Sequence, residues 1–228
     1  MRGNVEGMEE KISVTVEDTK SKREGKTKEK QYKRVRLTVA YDGTNYHGWQ
    51  VQKNGITIES ELNRCLRALL GEDIQVIGAS RTDAGVHALG NVAVFDTCAR
   101  IPAEKISYAL NQRLPEDIRI QKSEAVGLDW HPRYVSSRKT YEYRIYRGEF
   151  PMPVKRLYSY FTYRKLDVNR MVEAAAYLEG EHDFKSFCDN KRMKKSTIRT
   201  ISDISINNSD GIITIDFYGN GFLYHMVR

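Results

Sequence analysis

The sequence lacks long apolar runs and has few cysteines. No stretch of about 18 apolar residues occurs in its 228 residues, so no segment has the length of a membrane-spanning helix. The first residues mix acidic side chains with lysines around no apolar centre, which is unlike a secretory signal. Its three cysteines are scattered, form no Cys-x-x-Cys pair and are odd in number, which does not fit a disulfide framework. We therefore expect a cytoplasmic protein with no membrane partner.

Positive charge is in excess. Lysine and arginine number 37 against 30 aspartates and glutamates, which gives a formal net charge of +7. Such a field attracts a polyanion and speeds the encounter with it, but it does not identify the polyanion. With 40% hydrophobic residues, the chain has the composition of a globular protein, long enough for one large domain or two small ones.

Residues 1–32 show no apolar periodicity. The segment Lys20–Lys30 contains only charged and small polar residues, which cannot bury a core. We expect the whole of 1–32 to be a disordered basic tail. It is a solvated leader, a misassigned start, or an arm that contacts a polyanion such as a nucleic acid.

The pattern of ordered structure begins directly after this tail. Apolar Val35, Leu37 and Val39 alternate with polar neighbours, which predicts a half-buried strand. Thr57 is placed to cap a helix, and Gly71 stands where a left-handed stop belongs. The apolar positions between them fall on one helical face: Ile58, Leu62, Cys65, Leu66, Leu69 and Leu70.

Further elements are predicted on both sides of a polar loop. Residues 74–77 and 92–95 are predicted strands, and they flank the loop Ser80–His87. Residues 106–114 are predicted to form a short helix, and 118–120 another strand.

A similar order follows in the second half. Residues 141–145 alternate as a strand, and Asp167 caps a predicted helix that Gly180 closes. Residues 201–206 and 212–217 form a predicted hairpin across a polar turn. Both halves thus follow a strand–helix–strand–strand order, which is typical of an α+β protein with two related lobes.

The element order also suggests where the lobes begin and end. We expect an N-terminal lobe over 33–135, which holds the polar loop, and a C-terminal lobe over 136–228. The last residues, Gly219–Arg228, form a glycine-bounded turn that leads into an apolar segment. This looks like the start of an element, so we expect the C-terminal lobe to be truncated.

The loop Ser80–His87 has the sequence Ser-Arg-Thr-Asp-Ala-Gly-Val-His and carries the candidate chemistry. It places Arg81, Asp83 and His87 near one another at a sheet edge. An arginine beside a carboxylate favours its ionised form, and such a carboxylate is usable as a nucleophile or a base. Asp83 could instead be a turn or helix-cap residue with Arg81 as its salt-bridge partner, and the residues taken alone favour this second interpretation.

Five segments form an ordered set of motifs. They are Leu37–Gln50, Gly78–Ala88, Trp130–Tyr134 followed by Lys139–Tyr143, Gly180–Phe187, and Gly221–Arg228. The set resembles the motifs of the tRNA pseudouridine synthase A family in the family's own order, and it covers nearly all of the part that is expected to fold.

The resemblance implies roles for four residues. Asp83 matches the aspartate that attacks the substrate uridine, at ribose C1′, at uracil C6 or through a glycal intermediate. Arg81 matches an arginine that orients this carboxylate or contacts RNA phosphate, and Arg228 matches one that reaches the aspartate from the last motif. Tyr141 matches the tyrosine that lies against the target uracil, where a phenol can also help to move the C5 proton.

The same resemblance implies the fold and the partners. The expected fold is α+β, with two ferredoxin-like lobes that share a central, mostly antiparallel sheet and hold the catalytic loop in a basic cleft between them. The implied activity is isomerisation of uridine to pseudouridine at positions 38, 39 and 40 in the anticodon stem-loop of tRNA. Family members are homodimers. The reaction involves no redox or group transfer, so no metal or organic cofactor is expected.

Three alternatives stay open. A catalytically inactive RNA-binding protein would keep the basic cleft, and a related synthase would act on another RNA. A metal-dependent hydrolase would use histidines, but His87, His182 and His225 lack the spacing of a zinc site, so no metal site is predicted. A second basic cluster, in a predicted loop, is either a solvated surface or an RNA contact: Lys191, Arg192, Lys194, Lys195 and Arg199.

Overall fold

The computed structural model describes residues 31–189 and 196–228. The predicted disordered tail therefore lies outside the described residues except for its last two positions. Four members of the second basic cluster also lie outside them, and only Arg199 is described. In the described residues the chain forms two β-sheets and three α-helices.

The first sheet is built from the first half of the chain. Its elements, in chain order, are β1 (Lys33–Tyr41), α1 (Ile58–Leu70), β2 (Ile77–Gly78), β3 (Ala88–Thr97), α2 (Ala103–Asn111) and β4 (Ile118–Val126). The strands lie in the order β2-β3-β1-β4, and all neighbours are antiparallel. The predicted alternation in β1 is confirmed, because Val35, Leu37 and Val39 are fully buried while the residues between them are partly exposed.

Helix α1 begins and ends where the sequence predicts. The Thr57 hydroxyl accepts the N–H of Ser60, and the Ser60 hydroxyl accepts the N–H of Thr57, which makes a reciprocal capping box. Gly71 ends the helix in the left-handed conformation, with φ 67°. The buried face of the helix packs into the main core through Ile58, Leu62, Cys65 and Leu66.

The second sheet is built from the second half of the chain. Its elements are β5 (Lys139–Arg147), β6 (Tyr160–Thr162), α3 (Val168–Ala176), β7 (Gly180–Asp183), β8 (Ile198–Ser209) and β9 (Ile212–Gly219). The strands lie in the order β6-β5-β9-β8-β7, with β5 and β6 parallel and the other neighbours antiparallel. The predicted hairpin is confirmed as β8 and β9. It turns on Asp210 and Gly211, whose φ angles of 52° and 73° are those of a type I′ turn.

The strand predicted over 74–77 forms only at its end, as β2. The N–H of Val76 donates to the side chain of Asn63 at 2.8 Å, and the carbonyl of Ile74 accepts from Arg67 Nε at 3.1 Å. The side chains of Asn63 and Arg67 on α1 thus bond the N–H of Val76 and the carbonyl of Ile74, which are then not available to pair with a neighbouring strand. Pairing with β3 therefore begins only at the last residue of the predicted strand.

Helix α3 is capped by Asp167 as predicted, but it ends before Gly180. The Asp167 carboxylate accepts the N–H of Arg170. At the other end, the N–H of Leu178 donates three residues back to the carbonyl of Ala175 at 2.9 Å, which tightens the last turn and ends the helix. Gly180 begins β7 instead of closing the helix.

The two sheets have separate apolar cores. The main core lies between the first sheet and its helices and includes Trp49, Phe95 and Ile106, and the smaller one contains Phe184, Ile201, Leu223 and Met226. Among the described residues no strand pairs across the two sheets, because β4 pairs with β1 whereas β5 pairs with β6 and β9. The expected single central sheet is therefore two sheets. Within the described ranges, none of the helices has the length and apolar character needed to cross a membrane.

Candidate active site

The loop between β2 and β3, residues 79–87, is held from both sides. The carbonyl of Ser80 accepts from the Asn91 side chain at 3.1 Å, and the carbonyl of Thr82 accepts the N–H of Trp49 at 3.0 Å. The Thr82 hydroxyl also bonds the hydroxyl of Tyr41 at 2.8 Å. These bonds fix the backbone immediately before Asp83.

Close contact between this loop and the turn after β1 requires glycine. Gly48 has φ 82°, and a Cβ atom there would lie 2.5 Å from the carbonyl oxygen of Thr82. A Cβ atom at Gly43 would lie 2.1 Å from the carbonyl oxygen of Val86. Only residues without a side chain allow the two segments to approach so closely.

The carboxylate of Asp83 is partly exposed and faces the last segment of the chain. Its side chain keeps 31% of its accessible surface, and its Oδ2 lies 3.9 Å from Nε2 of His225. The opposite nitrogen of that ring, Nδ1, lies 2.6 Å from Oδ2 of Asp189. The ring also stacks on Tyr224 at a centroid distance of 3.8 Å. His225 is thus oriented on two sides and presents its remaining nitrogen to Asp83.

Tyr141 lies on the second sheet, near enough to Asp83 to sense its charge. It lies on β5, partly buried, and its ring meets that of Phe222 edge-on at 4.7 Å. Burial, and then the negative charge of Asp83, raise the pKa of the Tyr141 phenol above its ordinary value. At neutral pH Tyr141 is therefore a neutral phenol with a flat face, close enough to Asp83 to sense its charge.

The two arginines expected at Asp83 do not contact it. Arg81 and Arg228 are exposed, and neither forms an ion pair with Asp83 within 4.0 Å in the described residues. Arg228 lies instead near Tyr143, where burial raises the pKa of the phenol and the charge of Arg228 lowers it. The basic side chain found within 4.0 Å of the carboxylate in the described residues is His225, which the sequence pattern suggested only as a candidate metal ligand.

No metal-binding group was found at the site. In residues 31–189 and 196–228, no three His, Cys, Asp or Glu side chains are grouped closely enough to hold a metal ion. The histidines considered from the sequence have separate partners. His182 Nε2 donates to the carbonyl of Glu179, while His87 and His225 each lie beside an aspartate.

The chain resembles known proteins over most of its length. Residues 37–135 and 174–228 match the profile of a family described as tRNA pseudouridine synthase. A protein of Acetivibrio thermocellus named tRNA pseudouridine synthase A is 47% identical over 194 residues, which are 85% of this chain and 80% of that protein. Proteins of the same name from Ruminiclostridium cellulolyticum and Moorella thermoacetica are 46% and 45% identical, over 86% and 85% of this chain and 80% of each relative.

The chain belongs to the tRNA pseudouridine synthase family. The members of this family are isomerases, so the chain belongs to a family of enzymes. The ranges matched by the family profile contain Asp83, Arg81, His225 and Arg228, while Tyr141 lies between the two matched ranges.

The last residue of the loop 79–87, His87, contacts the second half of the chain. His87 Nε2 donates to the carbonyl of Leu157 at 3.0 Å, and Nδ1 lies 3.0 Å from Oδ1 of Asp42. The hydroxyl of Tyr158 donates to Oδ2 of Asp42 at 2.6 Å. Residues 157–158 therefore hold both the loop and the turn after β1.

Asp42 is the charged centre of this contact. Burial acts to raise the pKa of its carboxyl, but hydrogen bonds from the hydroxyls of Thr44 and Tyr158 and from the N–H of Thr44, with the charge of His87, lower it to about 2. A carboxylate with so many donors stays ionised through the ordinary pH range.

Proposed function

We propose that this chain isomerises uridine to pseudouridine in tRNA, with Asp83 as the nucleophile. Membership of the tRNA pseudouridine synthase family supports the reaction and the substrate. The observation that carries the assignment of Asp83 is its position: a partly exposed carboxylate, on a loop held on both sides, whose charge acts on the partly buried Tyr141. A carboxylate is suited to this step because it is both a nucleophile and, afterwards, a leaving group.

The reaction needs no co-reactant. The N1–C1′ bond of uridine breaks, the uracil turns, and a C5–C1′ bond forms. The proton on C5 is released while N1 gains one, so atoms and electrons balance within the nucleoside and the solvent. Attack at C1′, attack at C6 and a glycal route all fit this balance. The chemistry calls for no metal or organic cofactor.

The neighbouring residues take supporting roles in this proposal. Tyr141 supplies a flat surface for the uracil and a phenol near the migrating proton. His225 supports the carboxylate of Asp83, from which its Nε2 lies 3.9 Å. Arg81 and Arg228, both exposed, are placed to contact RNA phosphates or to move towards Asp83 when RNA binds.

The proposed target is the anticodon stem-loop, at uridines 38, 39 and 40. A uridine stacked in a stem must be flipped out to reach Asp83, at a cost of about a few kcal/mol. Contacts between phosphates and the basic protein offset that cost, so binding is expected to weaken with salt. We further propose that the two sheets belong to two ferredoxin-like lobes over 33–135 and 136–228, and that the enzyme acts as a cytoplasmic homodimer.

Support for the first ferredoxin-like lobe comes from its element order. The first half runs strand–helix–strand–strand–helix–strand and places its strands in the order β2-β3-β1-β4. The second half has a more irregular order, with an added parallel strand β6 at its edge.

Tritium release tests the proposed activity. tRNA transcribed with uridine labelled at C5 loses tritium to water only where pseudouridine forms. We expect the wild-type protein to release tritium in the presence of a chelator. Transcripts with uridine replaced singly at positions 38, 39 and 40 should each lose part of the signal. If no tRNA released tritium, the proposed activity would be wrong. If release were unchanged by these replacements, the proposed target positions would be wrong.

A further inference from the structure

Lysine and arginine side chains gather at one end of the second sheet. Lys139 of β5 pairs with Gly219 of β9, which pairs with Ile201 of β8, so the three residues form a row across the sheet. Directly paired residues share a face, and residues two apart on a strand do so as well. Arg199, two residues before Ile201, therefore lies on the same face as Lys139.

A third cation, Arg133, lies in the segment that precedes β5, near enough to Lys139 for its charge to act on it. Its Nε donates to the carbonyl of Gly78 at 2.8 Å, on the strand that leads into the loop 79–87. Burial, followed by the charges of Arg199 and Arg133, lowers the pKa of the Lys139 ammonium group. The three cations are thus close enough to repel one another. We call them the Lys139 cluster.

No acidic side chain neutralises the Lys139 cluster in the described part of the chain. None of the ion pairs found there within 4.0 Å includes Lys139, Arg133 or Arg199. Arg199 Nη1 donates to the carbonyls of Ser196 and Ile198, and the other N–H groups of its guanidinium have no acceptor among the described residues. Crowded cations with unused donors are the arrangement that binds an oxyanion well.

The cluster lies beside the candidate active site. Lys139 and Tyr141 are both partly buried on β5, whereas Thr140 and Glu142 between and after them are exposed. At the usual rise of a strand, two residues span about 7 Å. Because Tyr141 lies near enough to Asp83 to sense its charge, a nucleoside held between them has its flanking phosphates within reach of the cluster.

We propose that Lys139, Arg133 and Arg199 bind one backbone phosphodiester of the RNA, adjacent to the nucleotide that is presented to Asp83. The site takes a phosphodiester because it offers several N–H donors and positive charge that no described carboxylate neutralises. It rests on the proposed function, since that function supplies the RNA. Its effect is to hold the strand while the base turns towards Tyr141.

The salt dependence of tRNA binding tests the proposal. We expect Lys139→Gln and Arg199→Gln each to raise the Kd for tRNA about tenfold in low salt, and to reduce the slope of log K against log salt by about 0.7 to 0.9, as for one lost phosphate contact. The matched control is Arg144→Gln. Arg144 lies on the same strand but is exposed and paired with Glu142 at 2.6 Å, so its loss should leave the slope unchanged.

A single neutral phosphate locates the contact. In a synthetic stem-loop, a methylphosphonate beside the target uridine should weaken binding to the wild-type protein more than binding to Lys139→Gln, because both changes act on the same contact. Additive losses at every phosphate, or an unchanged salt slope in both folded variants, would overturn the proposal. Circular dichroism checks folding, and Arg199→Gln decides the matter if Lys139→Gln does not fold. Tritium release by the wild-type protein is measured in parallel, so a failure of the proposed function is seen separately.

Discussion

Nε2 of His225 lies 3.9 Å from Oδ2 of Asp83, and within the described ranges it is the only side-chain nitrogen of a His, Lys or Arg found within 4.0 Å of that carboxylate. The other ring nitrogen lies 2.6 Å from a carboxylate oxygen of Asp189. A carboxylate only accepts hydrogen bonds, so Nδ1 carries a proton. The contact with Asp189 therefore fixes the ring with Nε2 directed towards the proposed nucleophile.

Substitution His225→Asn tests whether the imidazole acts on the reaction. Asparagine tolerates the left-handed backbone found there, φ 59°, and has no imidazole nitrogen to present to Asp83. We expect single-turnover pseudouridine formation to slow by about tenfold, because losing a contact that contributes about 1.4 kcal/mol in the transition state changes the rate by that factor. The affinity for tRNA should stay within about twofold of the wild-type value. Asp189→Asn should slow the step less, and an unchanged rate in His225→Asn would show that the imidazole is only structural.

Substitution Tyr141→Phe separates stacking from proton transfer. The variant keeps the flat ring against Phe222 and loses the hydroxyl. We expect tRNA to bind with nearly wild-type affinity while single-turnover formation slows by about a hundredfold, the lower end of the usual effect of an acid–base group. A matched variant, Tyr143→Phe, should react normally. If Tyr141→Phe also reacts normally, its hydroxyl takes no part in moving the C5 proton.

Gly48→Ala should destabilise the protein by clashing with the loop 79–87. The new Cβ would lie 2.5 Å from the Thr82 carbonyl oxygen, at a backbone φ of 82°. We expect the free energy of unfolding in urea to fall by about 3 kcal/mol, with lower activity. The control is Gly71→Ala, which has a similar φ of 67° but meets no atom within 4 Å, and should lose only about 1 kcal/mol. Equal losses in the two variants would mean that backbone strain alone matters at Gly48.

Asp42 should contribute to acid unfolding in a defined pH range. Its folded pKa of about 2 lies below the ordinary value of 3.8, so its stabilisation is present above pH 3.8 and is lost as pH falls towards 2. We expect the unfolding free energy of Asp42→Asn to depend less steeply on pH between these values than that of the wild-type protein. The variant should also be less stable at neutral pH. Parallel pH curves for the two proteins would contradict the hydrogen-bonding account of this carboxylate.

The local elements could be predicted because their signals are local. The Thr57 capping position, the left-handed Gly71 and the alternation in β1 each depend on residues close in sequence, and all three are confirmed. Helix α2 was predicted three residues too late, since its first turn after Pro102 carries polar residues that the apolar periodicity does not mark. The shortening of β2 was not predictable, because it depends on side chains of α1 that reach its backbone.

The residues of the candidate site also fall into two groups: those predicted from the sequence, and those whose position depends on tertiary packing. The loop with Asp83 and the strand with Tyr141 were found from motif and pattern, and the structure brings them together across the two sheets. The approach of His225 to Asp83, and of Tyr158 to Asp42, depends on how distant segments pack. Arg81 and Arg228 were expected at the carboxylate, but spacing and motif do not fix the direction of an exposed side chain.

The central claim is that Asp83 is the nucleophile, and the most direct measurement is tritium release by purified Asp83→Asn. The substitution keeps size and shape, so we expect a folded protein that binds tRNA with affinity within about twofold of the wild-type value. Release of tritium from C5-labelled tRNA should fall to background even in single turnover with excess enzyme. Release by Asp83→Asn at a rate near that of the wild-type protein would contradict the account.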